Sequence, residues 1–83
     1  MVTDPVTGLT EGESKAIDNA LKPFFSENNI TPLYSPYYAS YAKTIMKKST
    51  QEAQIDLNKW VSRGLNRTFL ITIAKNVCNK DLV

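Results

Sequence analysis

Residues 54–77 read QIDLNKWVSRGLNRTFLITIAKNV. Upstream of the glycine, Ala53, Leu57, Trp60 and Val61 recur at helical spacing. Downstream of it, Leu70, Ile73, Ala74 and Val77 do the same. Gly64 between them can adopt the left-handed conformation that stops a helix, with Leu65 folding back onto Trp60. Asn66 then caps the next helix, its side chain accepting from an orphan backbone N–H. The segment therefore reads as helix, tight turn, helix. The stripes predict helices over residues 50–63 and 67–78, with Trp60 and Leu70 in the core.

The upstream half continues the pattern. Ser49-Thr50-Gln51-Glu52 is a capping box that opens the third helix, and Thr10-Glu11-Gly12-Glu13 is another that opens the first. Ala16, Ile17, Ala20, Leu21 and Phe24 form an apolar face, and Pro23 predicts that this helix ends or kinks near residue 22. Phe24 and Phe25 read as an aromatic plug before the turn Ser26-Glu27-Asn28-Asn29. Ile30 to Leu33 reads as extended, and Ser35-Pro36 as the start of a helix to about residue 48, with Ser35 as its cap. On that helix Tyr38, Tyr41, Ala42 and Ile45 share a core stripe, while Tyr34 and Tyr37 lie at the rim.

No stretch alternates as a strand would, and no Asn-Gly or Asp-Gly hairpin turn occurs. The expected fold class is all-α, a small four-helix domain with bundled or orthogonal packing. It spans residues 10–80, preceded by a tail over residues 1–9. With 83 residues there is room for one core. The 42% hydrophobic and 22% charged fractions are those of a globular chain rather than a disordered one.

Composition narrows the chemistry. The chain has no histidine and one cysteine, Cys78, which rules out an internal disulfide and the usual zinc ligand sets. Cys78 has no histidine to activate it, and there is no glycine-rich phosphate loop. Glu52 and Asp56, four residues apart, sit in the first turns of a helix, where acids are favoured by the helix dipole alone. No enzyme, cofactor or metal is expected. The longest strongly apolar run, Phe69-Leu70-Ile71-Thr72-Ile73-Ala74, is far short of a membrane span, and the N-terminus carries no signal-peptide pattern. A cytoplasmic protein is expected by default, with no membrane partner.

Charge is uneven. Residues 1–42 hold two lysines against five acids, net −3, and residues 43–83 hold eight cations against three acids, net +5. Either the second half meets an anionic partner, or the two halves attract each other or are both simply solvated, and the second account is the simpler.

Two binding functions remain. The first is a protein-interaction module, an adaptor, inhibitor or regulatory subunit that meets a protein partner or a second copy of itself. Tyr34, Tyr37, Phe69 and Ile71 are its candidate surface, the last two because they widen the apolar face of the fourth helix. Trp60 beside Arg63 adds the aromatic–arginine pairing that anchors interfaces. The second is DNA or RNA binding. Residues 54–77 resemble a helix-turn-helix, in which a short turn containing glycine joins two helices. The resemblance implies phosphate contacts from Lys59, Arg63, Arg67 and Lys75, with Thr68 and Thr72 at base edges. The chain departs from that motif at Trp60, where a small residue is expected, and at Ile71, where a polar one is.

Overall fold

In a computed structural model that describes Pro5 and residues 8–83, the chain forms four α-helices. They are α1 (Glu11–Glu27), α2 (Ser35–Ile45), α3 (Thr50–Ser62) and α4 (Arg67–Cys78). Most of the expected tail lies outside the described residues. Its last member, Leu9, does not behave as a tail, because it is buried in the core.

Local signals set most helix ends. Thr10 accepts from the Glu13 N–H at 3.2 Å while the Glu13 carboxylate accepts from the Thr10 N–H at 3.0 Å, a complete capping box. The Thr10 N–H is also the main reason that Glu13 titrates below the ordinary carboxylate range. Ser49 caps α3 by accepting from the Glu52 N–H at 3.3 Å. That box is only half formed, since the Glu52 carboxylate takes the Ser49 hydroxyl instead of its backbone N–H. Asn66 caps α4 by accepting from the Phe69 N–H at 3.2 Å.

α3 ends as its glycine predicts. Gly64 sits at φ 102°, with the Leu65 N–H donating to the Trp60 carbonyl and the Gly64 N–H to the Val61 carbonyl. The same pair of bonds closes α1, where Ile30 donates to Phe25, Asn29 to Ser26, and Asn29 takes the left-handed position at φ 52°. A Cβ at residue 64 would meet nothing within 4 Å, so the penalty there is purely conformational. Gly64→Ala is expected to cost about 1–2 kcal/mol, and Asn29→Gly to be neutral or stabilising. Urea titrations of both variants check the pair.

Two ends differ from expectation. α1 does not stop near residue 22 but runs through Pro23 to Glu27. The proline removes one backbone donor at an exposed position. The turn beyond it is held from outside, by Phe24 edge-on to Phe69 at 5.7 Å and Phe25 against Tyr38 at 6.4 Å. α2 ends at Ile45 rather than near residue 48, and Ser35 is not its cap. Residues 31–34 are not extended either. They form a turn with Pro32 second, where its fixed φ is favoured, and the Tyr34 N–H donates to the Thr31 carbonyl at 2.9 Å. The Tyr37 and Tyr38 N–H groups donate to the Tyr34 carbonyl, and the Ser35 hydroxyl donates back to the Thr31 carbonyl at 3.4 Å instead of capping the helix.

Helix directions follow from nested contacts. Phe25–Tyr38, Asp18–Lys43 and Glu13–Lys47 pair α1 with α2 in opposite senses. Lys48–Asp56 and Tyr41–Trp60 pair α2 with α3 likewise. α4 packs on all three other helices. The core is Leu9, Ile17, Leu21, Tyr38, Tyr41, Ala42, Ile45, Ala53, Leu57, Leu65, Leu70, Ile73, Ala74, Cys78 and Leu82. Leu82 lies beyond the expected domain end at residue 80, and the chain there is tied down by paired bonds between Gln54 and Val83. Two of the ion pairs, Lys43–Asp18 and Lys47–Glu13, join the basic half to the acidic half, as the simpler account of the charge asymmetry expects.

Of the expected core residues, Leu70 is fully buried but Trp60 is only half-buried. Its ring packs edge-on to Tyr41 at 6.1 Å, and Arg63 lies over its face at 4.8 Å. Among the described residues no helix is long and apolar enough to cross a membrane.

Candidate functional site

The opposed senses of α2 and α3 bring the start of one beside the end of the other. A cleft of about 430 Å³ opens there, lined by Leu33, Tyr34, Tyr37, Trp60, Arg63 and Leu65. Each lining residue is placed by a local feature already described. The Pro32 turn pushes Leu33 outward, where it is 68% exposed. Tyr34 is the N-cap residue of α2 and Tyr37 lies in its first turn, 42% and 50% exposed, with ring centroids 6.5 Å apart. The Gly64 turn returns Leu65 under Trp60 as the buried floor.

Arg63 is the one charged residue of the lining. Its guanidinium stacks on the Trp60 ring, and among the described residues no carboxylate or carbonyl pairs with it. A stacked guanidinium keeps its N–H donors at the edge, directed away from the ring and open to a planar acceptor.

Of the expected protein-contact residues, Tyr34 and Tyr37 meet in this cleft. Phe69 and Ile71 do not. Both are half-buried and packed against the core, with Phe69 edge-on to Phe24 and to Tyr38 at 5.7 and 6.0 Å. Much of the apolar surplus of α4 is thus taken up within the chain, because α4 packs on all three other helices. Leu33 is the lining residue that sequence reading passed over. Its signal was the Pro32 turn, which was read as extended chain.

The expected nucleic-acid residues lie on two helices, α3 and α4. Lys59 and Arg63 are exposed on α3, and Thr68 and Lys75 on α4. Arg67 is engaged at home, donating to the Val83 carbonyl oxygen at 2.6 Å and to Asn58 Oδ1 at 3.2 Å. Thr72 turns its hydroxyl back to the Thr68 carbonyl at 2.9 Å.

Cys78 and Tyr41 are titratable side chains buried in the core. Cys78 donates its thiol to the Ala42 carbonyl at 3.4 Å, and burial pushes its pKa up to about 11, so at neutral pH it is a thiol and not a nucleophilic thiolate. Burial likewise raises the Tyr41 hydroxyl well above its ordinary value. Among the described residues no group of three or more His, Cys, Asp or Glu side chains gathers as a metal site. No protein-family model, curated protein or solved structure matches the chain.

Proposed function

We propose that this domain is a non-enzymatic protein-binding module whose contact surface is the cleft between the start of α2 and the end of α3. One observation carries the reading. Of the five large apolar side chains most exposed among the described residues, Leu33, Tyr34 and Tyr37 fall together on the lip of one cleft. Scattered apolar residues are normal on any surface, whereas clustered ones rimming a concavity mark a place where another molecule removes them from water. Tyrosine, tryptophan and arginine are also the side chains that most often anchor protein interfaces, since they bury large rigid surfaces at low entropic cost.

The placement of α4 supports this reading over binding of a duplex through the α3–α4 hairpin. A recognition helix needs one free face along its length to enter the major groove. Here α4 packs on α1, α2 and α3, and of the side chains it would present Arg67 is already held by Val83 and Asn58 and the Thr72 hydroxyl by the Thr68 carbonyl.

Trp60 is the only tryptophan in the chain and lines the cleft, so its fluorescence reports occupancy directly. Peptides selected by the purified protein from a random phage-displayed library are expected to shift or quench that emission, saturably. Sedimentation at rising concentration separates a second copy of the chain from a foreign segment as the occupant. The proposal fails if no peptide is enriched and the protein does not self-associate. It also fails if duplex DNA binds with a steep salt dependence, the mark of phosphate contacts.

A further inference from the structure

The charge on the cleft specifies its occupant more closely. We propose that the cleft takes an acidic peptide segment, in which an apolar or aromatic side chain enters between Tyr37 and Trp60 and a neighbouring carboxylate is forked by Arg63. This rests on the protein-binding reading above and adds the chemistry of the partner.

Three features point to an acidic occupant. Arg63 already lies over the Trp60 ring at 4.8 Å, with no acid beside it among the described residues, so its donors are open to a ligand at the cleft. Burying that guanidinium under a partner without a carboxylate would leave its donors unsatisfied, a penalty that selects against neutral and basic segments. Second, the lining itself carries positive charge only. The six lining residues include no acid, α2 has none along its length, and Lys59 stands one turn before Arg63 on α3. The nearest acid on that helix in sequence, Asp56, is neutralised by Lys48 at 2.8 Å. Third, the apolar wall and the cation are adjacent. An anchor side chain in the cleft therefore places the next one or two residues of an extended segment, at about 3.3 Å per residue, within reach of Arg63.

The arrangement also explains why arginine, and not lysine, stands at residue 63. A lysine ammonium would neither stack flat on Trp60 nor fork a carboxylate. Charge complementarity of this kind acts on the association rate as well as on discrimination between partners, so binding should weaken as salt rises.

The test is selection from the same random dodecapeptide library on immobilised wild-type protein and on Arg63→Glu. Wild type is expected to enrich peptides with an apolar or aromatic residue flanked within two positions by Asp or Glu. Their affinity for Arg63→Glu should fall by at least about tenfold, and Arg63→Lys should recover only part of that loss. Arg63 is exposed at the C-cap of α3, and circular dichroism melts of each variant confirm that the fold is kept. Peptides that bind the cleft without acidic flanks, or that bind Arg63→Glu equally well, overturn the acidic specificity while leaving the protein-binding reading standing. Selection of no peptide at all overturns the inference, and with it the protein-binding reading when the protein also fails to self-associate. Single-stranded oligo-dT that quenches Trp60 and displaces the peptides overturns the inference in favour of base stacking with phosphate at Arg63.

Discussion

Tyr41→Ala is expected to cost about 3–5 kcal/mol, leaving a domain of this size largely unfolded at 25 °C. Tyr41 is fully buried in the core, edge-on to Trp60, so its truncation removes a large buried ring and leaves a cavity. The control is Tyr41→Phe, for which the opposite sign is expected. The Tyr41 hydroxyl is buried and finds no hydrogen-bond partner among the described residues. Removing it is expected to stabilise the fold by about 1 kcal/mol, because an unsatisfied buried polar group costs its lost hydration. At Tyr38 the order reverses again. Its hydroxyl accepts from the Asn66 N–H at 3.0 Å, tying α2 to the α3–α4 turn, so Tyr38→Phe should destabilise by about 0.5–1.5 kcal/mol. Two adjacent tyrosines responding to the same substitution with opposite signs in urea titrations would establish the core register of α2.

The second large effect concerns binding rather than folding. Tyr37 is half-exposed and forms one wall of the cleft, so Tyr37→Ala should leave stability within about 0.5 kcal/mol of wild type. It should nevertheless weaken any cleft ligand by about 2 kcal/mol, roughly thirtyfold, as truncation of a central aromatic anchor does. Phe69→Ala is the converse. Its ring packs against Phe24 and Tyr38, so it should damage the fold first, and binding only through the fold. Titration of Trp60 emission with a selected peptide, alongside a thermal melt, separates the two cases.

Features that depend on a few consecutive residues were legible in the sequence. The Thr10–Glu13 box, the Ser49 and Asn66 caps and the left-handed Gly64 each act within one turn of backbone, and each is found where its residues predict. The division of the four tyrosines was legible for the same reason, since helical periodicity alone separates Tyr38 and Tyr41 from Tyr34 and Tyr37. What was not legible depends on distant partners. Pro23 reads locally as a stop, but Phe24 and Phe25 gain Phe69 and Tyr38 by continuing the helix. Trp60 reads as core from its stripe, but the opposed run of α2 brings Tyr34 and Tyr37 beside it and opens a cleft where a closed core was expected. Phe69 and Ile71 read as surplus because a single helix does not reveal how many neighbours it has. The candidate site was thus half visible: its aromatic and arginine members were conspicuous, while their meeting required the topology.

The most direct test of the cleft is amide chemical-shift mapping of isotope-labelled protein with a peptide selected on it. Binding at the proposed surface moves the signals of Leu33, Tyr34, Tyr37 and Leu65 and the Trp60 indole N–H, and leaves α1 and the exposed side of α4 unmoved. Shifts centred on Arg67, Thr68 and Lys75, with the Trp60 indole unchanged, would contradict it.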